Sequence, residues 1–164
     1  MIDITKIDLI VFDFDGVLTD NKVLVDQNGN ESVSCSRSDG LGFDVLKILR
    51  KSAYIISTEK NLVVSARAKK LNIPVLQGVR DKSHIIKNIS KEKNVKLSKI
   101  LFVGNDLNDY YAMQLCGYSA CPSDSHPKIK DIASFVLKTK GGNGVLRELL
   151  EEVFELNVIE ILYK

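Results

Sequence analysis

The stretch IDLIVFDFDG, residues 7–16, decides the fold of this chain. Its apolar part is a near-continuous run, which is typical of a strand buried on both faces of a sheet. Similar short runs occur at residues 54–56, 100–103 and 135–137, with apolar residues at helical spacing between them. Because strands alternate with helices, we predict an α/β fold with a Rossmann-like, mostly parallel sheet and helices on both faces.

Residues 22–36 interrupt this alternation, because two β-prone runs flank an Asn-Gly pair at 28–29. Such a pair is a strong short-range signal for a hairpin, so we expect a β-hairpin insertion after the first strand. The glycine-rich residues 141–144 precede a predicted last helix over residues 145–156. No repeat or linker divides the chain, and we expect a single domain over residues 1–164.

The composition excludes several classes of protein. The chain has 164 residues, 45% of them hydrophobic, which fits one globular domain. A net charge of +2 is too small to predict binding to nucleic acid or to an anionic membrane. No apolar run approaches the ~18 residues of a membrane span, and the N-terminus does not resemble a secretory signal. The cysteines form no CxxC pair, and we interpret them as reduced thiols of a cytoplasmic protein.

Polar side chains collect where the predicted strands end, and a lysine opens a predicted helix nearby. Because ligands bind beyond the carboxyl ends of parallel strands, we expect these groups to share one site. Gathered carboxylates repel one another unless a cation joins them, and an oxygen-rich set without histidine favours Mg²⁺ over zinc. In chain order the residues are Asp13, Asp15, Ser57, Thr58, Lys82, Asn105, Asp106 and Asp109.

The same set suits phosphoryl transfer. Asp13 can act as a nucleophile, and Asp15, two residues on along an extended chain, faces the same way and can serve as acid and base. A hydroxyl and a lysine can hold the phosphoryl oxygens. Each motif alone has an ordinary interpretation, since Asp-x-Asp-Gly often forms a turn and Ser-Thr often caps a helix. Together and in this order they favour the functional interpretation.

These residues resemble the four ordered motifs of the haloacid dehalogenase superfamily of phosphatases. The motifs are DFDGVLTD at 13–20, Ser57, Lys82 and GNDLND at 104–109. The resemblance implies Asp13 as nucleophile, Asp15 as general acid and base, Ser57 as a phosphoryl ligand and Lys82 as the balancing charge. It also implies Mg²⁺ on the Asp13 carboxylate, the Asp15 backbone carbonyl and residue 105, with Asp106 and Asp109 supporting these ligands.

The short spacing between the motifs leaves no room for a cap domain. The chain therefore resembles the capless branch that contains the 3-deoxy-D-manno-octulosonate 8-phosphate phosphatases and the nonulosonate 9-phosphate phosphatases. This resemblance implies a homotetramer that acts on a small-molecule sugar phosphate, and we expect Thr58, Glu59, Arg67 and Lys70 to be substrate ligands. Arg67 and Lys70 share a helix face and could bind a substrate carboxylate, although plain surface charge explains them equally well.

Asn105 departs from the superfamily pattern, which usually has aspartate at this position. The C-terminal domains of some CMP-acylneuraminate synthetases share the departure, which leaves a non-enzymatic alternative, a tetramerisation module for sugar-nucleotide synthesis. A signalling receiver domain is a third alternative, but it would need its acceptor aspartate after a later strand. Because Asp13, Asp15, Ser57 and Lys82 are all present, we favour a working phosphatase.

Overall fold

The computed structural model describes residues 2–164; Met1, which falls within the predicted domain 1–164, lies outside the described residues. Strands and helices alternate along most of this length. The strands are β1 (Leu9–Phe12), β2 (Leu24–Val25), β3 (Glu31–Ser32), β4 (Ser52–Ile56), β5 (Val75–Leu76), β6 (Ile100–Val103), β7 (Tyr118–Cys121) and β8 (Phe135–Val136). The helices are α1 (Arg37–Ile48), α2 (Val63–Leu71), α3 (Lys82–Glu92), α4 (Tyr110–Leu115), α5 (Pro127–Ile132), α6 (Val145–Glu148) and α7 (Val158–Tyr163).

Six of the strands form one parallel sheet, in the order β5-β4-β1-β6-β7-β8. The chain builds outward from β1 to β5, then returns to the centre at β6 and continues outward to β8. The direction of winding therefore reverses between β1 and β6, which is the place where open α/β sheets bind ligands. The predicted Rossmann-like parallel sheet is confirmed.

Helices cover both faces of the sheet, as predicted. Ile10 and Phe12 of β1 belong to a core that includes residues of α1, α2 and α6. Leu9 and Val11 point to the opposite face and belong to a core with residues of α3, α4 and α5. Within residues 2–164 there is no cap domain, and no helix has the length and apolarity to cross a membrane.

The predicted hairpin is present as β2 and β3, which pair antiparallel with Val25 opposite Glu31. Five residues connect the strands, and the Asp26 carboxylate organises them by accepting hydrogen bonds from the backbone N–H groups of Asn28 and Asn30, at 2.8 and 2.9 Å. Both short strands are exposed to solvent.

The structure differs from the sequence prediction at three elements. The strands β5 and β7 were not predicted, because neither has a run of large apolar residues. The predicted last helix over 145–156 consists of α6 followed by a π-helical turn, Leu149–Val153. It ends where Glu155 adopts a left-handed backbone conformation with φ of 53°, and α7 follows as a separate helix.

Candidate active site

A buried cluster of three charged residues lies at the carboxyl edge of the sheet. Asp13 follows β1, Lys82 is the first residue of α3, and Asp109 ends a 3₁₀ turn after β6. Lys82 Nζ lies 2.7 Å from Asp13 Oδ1 and 2.7 Å from Asp109 Oδ1. The three residues are between 0% and 3% exposed. The fold therefore brings together three groups that are far apart in the sequence.

Burial and charge perturb the pKa values in this cluster. Burial, reinforced by the neighbouring Asp109 carboxylate, raises the pKa of Asp13 to about 8, although Lys82 acts in the opposite direction. Burial works to lower the pKa of Lys82, but the two carboxylates outweigh it and leave that pKa raised. The cluster has one more carboxylate than it has ammonium groups, so a cation beside Asp13 would favour its ionised form.

The loop after β6 is shaped to hold Asp109. Asp109 Oδ2 accepts hydrogen bonds from the backbone N–H groups of Asn105 and Asp106, at 2.9 and 3.4 Å. A Cβ atom at Gly104 would lie 2.7 Å from the Asp109 side chain, so only glycine permits this approach. Asp106 is exposed, and its carboxylate accepts a hydrogen bond from the N–H of Leu107 at 2.7 Å. The sequence GNDLND is thus a structural unit that orients Asp109 toward Lys82.

The Asn105 side chain offers an oxygen to a cation. Asn105 is 6% exposed, and its buried Oδ1 has no hydrogen-bond partner among residues 2–164. It lines the same cavity as Asp13 and Asp15. No group of three His, Cys, Asp or Glu side chains within the described residues is arranged to hold a metal ion. The Asp13 carboxylate and the unpartnered amide oxygen of Asn105 are ligands of the kind that a hard cation takes.

Asp15 lies at the wall of an open cavity of about 340 Å³. Burial, followed by the charge of Glu59, raises the pKa of its carboxyl group, while a hydrogen bond from Thr19 acts to lower it. Thr19 is fully buried, and its hydroxyl also accepts hydrogen bonds from the N–H groups of Gly16 and Asn21. The cavity is lined by Asp13, Asp15, Asn21, Thr58, Asn105, Asp106, Leu107 and Asn108.

The loop after β4 contributes hydroxyl groups. Ser57 is buried, and its Oγ accepts a hydrogen bond from the N–H of Glu59 at 3.0 Å, which leaves its proton free to donate. Thr58 lines the cavity, where Asn108 Nδ2 donates to its hydroxyl at 3.4 Å. The Glu59 carboxylate accepts from the backbone N–H groups of the next two residues, at 2.5 and 2.7 Å. Glu59 is therefore engaged with its own loop.

Arg67 and Lys70 do not line the cavity of Asp13. They lie together on α2, as their spacing predicted, but they line a separate groove of about 810 Å³ between α2 and α1. Arg67 donates a hydrogen bond to the backbone carbonyl of Ser36 at 2.7 Å. Within one chain the structure thus separates these two cations from the other candidate site residues.

Sequence reasoning missed several residues that shape the site. Thr19 is one of them, although it lies within the quoted DFDGVLTD motif. Gly141 and Gly142 are others: the N–H of Gly142 donates to the Val17 carbonyl at 3.0 Å, and a Cβ at either glycine would collide with backbone atoms of residues 16–20. These glycines support the loop that carries Asp15. Their role depends on packing between distant segments, which no local pattern reveals.

Known proteins are similar to this chain in sequence. A family model described as haloacid dehalogenase-like hydrolase matches residues 41–149. The 3-deoxy-D-manno-octulosonate 8-phosphate phosphatase of Escherichia coli K12 is 30% identical over 147 residues, which cover 89% of this chain and 78% of that protein. The phosphatase of the same name from Haemophilus influenzae is 28% identical over 151 residues, which cover 92% and 84%.

Solved structures share the fold over nearly the whole chain. A haloacid dehalogenase family hydrolase from Streptomyces avermitilis has a TM-score of 0.90 and 39% identity, covering 92% of this chain and 87% of that one. The 3-deoxy-D-manno-octulosonate 8-phosphate phosphatase of Moraxella catarrhalis has a TM-score of 0.87 and 27% identity, covering 96% and 88%. That structure contains a magnesium ion, a phosphate ion and the sugar acid.

Proposed function

This chain belongs to the haloacid dehalogenase-like hydrolases and is a phosphatase, and we propose that it hydrolyses the phosphomonoester of an eight- or nine-carbon 2-keto-3-deoxy sugar acid. The buried Asp13–Lys82–Asp109 cluster beside an open, oxygen-lined cavity is the observation that carries phosphoryl transfer, and the similarity to 3-deoxy-D-manno-octulosonate 8-phosphate phosphatases supports the substrate class. Stable packing does not need a buried lysine and two buried carboxylates, because removing each charge from water costs several kcal/mol before the charges pair. Such a cluster is expected where Asp13 reacts with an anionic group such as a phosphate.

In the proposed reaction, an Asp13 carboxylate oxygen attacks phosphorus, and the bond between phosphorus and the sugar oxygen breaks. Asp15 donates a proton to that leaving oxygen, which releases the sugar acid and leaves an aspartyl-phosphate. Asp15, now a carboxylate, takes a proton from water, and the water oxygen attacks phosphorus. The bond between phosphorus and the Asp13 oxygen breaks, which releases inorganic phosphate and regenerates the Asp13 carboxylate. Lys82 and the free hydroxyl proton of Ser57 stabilise the phosphoryl oxygens as charge develops on them.

We assign a Mg²⁺ site to Asp13, the backbone carbonyl of Asp15 and Asn105. The unpartnered Asn105 Oδ1 supports this assignment, because a buried carbonyl oxygen without a partner is costly unless something else occupies its lone pairs. When bound, the cation offsets the repulsion between the anionic nucleophile and the phosphate. Asp106 and Asp109 support the ligands through the hydrogen bonds of their loop.

The sugar end of the substrate lies toward the mouth of the cavity in this proposal. Thr58 lines that mouth, and Glu59 belongs to the same loop. A substrate whose carboxylate binds Arg67 and Lys70 would have to extend beyond the Asp13 cavity. Alternatively, Arg67 and Lys70 of an adjacent copy of the chain would bind that carboxylate. Residues 22–36, most of which are exposed, would form part of the interface between such copies in a homotetramer.

The test is phosphate release from a panel of phosphomonoesters. The panel contains 3-deoxy-D-manno-octulosonate 8-phosphate, a nonulosonate 9-phosphate and, as a control without a carboxylate, glucose 6-phosphate. We expect hydrolysis of at least one keto-sugar acid phosphate, abolished by a chelator and restored by Mg²⁺. Faster release from glucose 6-phosphate than from both acids would refute the proposed substrate class. No release from any ester would favour the tetramerisation module instead.

A further inference from the structure

The β2–β3 hairpin has few attachments to the rest of the chain. Its base is held by a bridge between Thr19 and Cys35, and its turn is held internally by Asp26. Among residues 2–164, one hydrogen bond joins β2 or β3 to another part of the fold: Asn61 Nδ2 donates to Glu31 Oε2 at 2.9 Å. A two-stranded hairpin is only marginally stable by itself, so this contact and the packing of Val33 and Cys35 against the core together fix its position.

The orientation of the Asn61 amide follows from its partners. Its Oδ1 accepts a hydrogen bond from the backbone N–H of Val63 at 3.1 Å, at the start of α2. Since that backbone group can only donate, the oxygen must face α2 and the amide nitrogen must face Glu31. The carboxylate of Glu31 can only accept when ionised, and it is therefore complementary to Asn61.

Asn61 is also tied to the loop that bears the candidate phosphoryl ligand. The N–H of Asn61 donates to Glu59 Oε1 at 2.7 Å, and the N–H of Glu59 donates to Ser57 Oγ at 3.0 Å. Thr58, between them, lines the catalytic cavity. A continuous set of hydrogen bonds therefore runs from the hairpin through Asn61 to Ser57.

We propose that Asn61 is a positioning residue, whose side-chain amide ties the hairpin to the Ser57–Glu59 loop and so fixes the mouth of the catalytic cavity. The inference rests on the proposed phosphatase function. Thr58 of the tied loop lines the same cavity as Asp15, which places the tied segments near the reacting groups. The Asp13–Lys82 ion pair and the backbone hydrogen bonds of Ser57 with Leu76 and Val79 do not involve Asn61, so loss of the tie affects substrate capture rather than turnover.

The test exchanges the donor and the acceptor. In Asn61→Asp, the new carboxylate still accepts the hydrogen bond from the N–H of Val63 but opposes the Glu31 carboxylate, so the tie is lost. In Glu31→Gln, the side-chain oxygen still accepts from Asn61 and the tie remains. In the double variant, the amide nitrogen introduced at position 31 donates to the carboxylate introduced at position 61, and the tie is restored with its roles reversed.

The readouts are the KM and kcat for 3-deoxy-D-manno-octulosonate 8-phosphate and the hydrogen–deuterium exchange of residues 24–32. We expect Asn61→Asp to raise KM about threefold to tenfold, with kcat changed less than about twofold, and to speed exchange in the hairpin. Glu31→Gln and the double variant should both lie within about twofold of wild type. A twofold change in KM is smaller than the threefold to tenfold change expected for Asn61→Asp, so rescue in the double variant is measurable.

Unchanged KM and exchange in Asn61→Asp would overturn the inference, as would a double variant that remains as impaired as the single one. A loss of kcat without a change in KM would also overturn it. If the wild type does not hydrolyse this substrate at all, the proposed substrate is wrong. The hydrogen–deuterium exchange of residues 24–32 still tests whether Asn61 holds the hairpin in place.

Discussion

Replacing Asn105 by aspartate tests the assignment of the cation site through the charge of a single side chain. Asn105→Asp keeps the shape of the side chain but adds a carboxylate to a buried position beside Asp13 and Asp15. A carboxylate and a divalent cation about 4 Å apart attract by roughly 8 kcal/mol at an effective dielectric constant of about 20. Solvent screening, loss of the amide-oxygen ligand and protonation of the new carboxyl group in the metal-free protein, which the neighbouring carboxylates favour, offset most of that. We expect a net gain of about 1.4 kcal/mol, or tenfold in Mg²⁺ affinity.

Thermal unfolding with and without Mg²⁺ measures this gain independently of activity. If the wild type binds with a Kd of about 1 mM, then about 10 mM Mg²⁺ stabilises it by about 1.4 kcal/mol, against about 2.7 kcal/mol for a tenfold tighter variant. For a chain of this size the difference corresponds to a further rise in Tm of about 3–5 °C. Without Mg²⁺, Asn105→Asp should be less stable than wild type by about 1–3 kcal/mol, because the new charge is buried among like charges.

The matched control is Asn108→Asp, which adds the same charge to an exposed position of the same cavity. Exposed charges are screened by solvent, so its Mg²⁺ response should follow that of the wild type within about twofold. A Mg²⁺ titration of phosphate release should show the same order, with a lower requirement in Asn105→Asp. Coincident curves for Asn105→Asp and wild type, in both assays, would refute the assignment of residue 105 as a metal ligand.

Three further predictions concern stability and assembly. Gly104→Ala should lower the free energy of unfolding in urea by about 3 kcal/mol or more, because its Cβ would lie 2.7 Å from Asp109 and displace a buried ion-pair partner. In the control Gly40→Ala, the atom nearest to the new Cβ would be 3.8 Å away, so the free energy of unfolding should rise by about 0.5–1 kcal/mol. Equal effects of the two substitutions would contradict this account. Burial raises the pKa of Asp39 to about 6 from 3.8, so the stability it contributes is present below about pH 4 and lost as pH rises through about 6. Asp39→Asn should therefore reduce the fall in the free energy of unfolding between about pH 4 and pH 7 by up to about 3 kcal/mol. If the free energy of unfolding varies with pH in the same way in both proteins, this prediction is wrong. Light scattering should give a homotetramer that deletion of the exposed part of residues 22–36 disrupts, and a fully active monomer at micromolar concentration would reject that interface.

The central strands were predictable from sequence, whereas the outer ones were not. In β1 and β6 all four residues are apolar and buried on both faces, and such a run has few other interpretations. In β7 the residues Ser119, Ala120 and Cys121 are small, and β5 has only two residues. Those segments are strands because they pair with β6 and β4, and this cause lies far away in the sequence.

The candidate site shows the same division. The order of Asp13, Lys82 and Asn105 along the chain indicated a shared site, since each follows or faces the end of a central strand. The spacing also placed Arg67 and Lys70 on one face of α2. Periodicity cannot say which groove that face borders, because the answer depends on how α2 packs against α1.

The central claim is that the Asp13 carboxylate is the nucleophile, and phosphate release by Asp13→Asn measures it most directly. An amide is a far poorer nucleophile than a carboxylate, so the account predicts that this variant folds, by its circular dichroism and thermal unfolding, but releases no phosphate above background. Asp44→Asn makes the same change at an exposed position on α1 and should retain wild-type turnover. Turnover near that of the wild type in purified Asp13→Asn, with saturating Mg²⁺, would contradict the account.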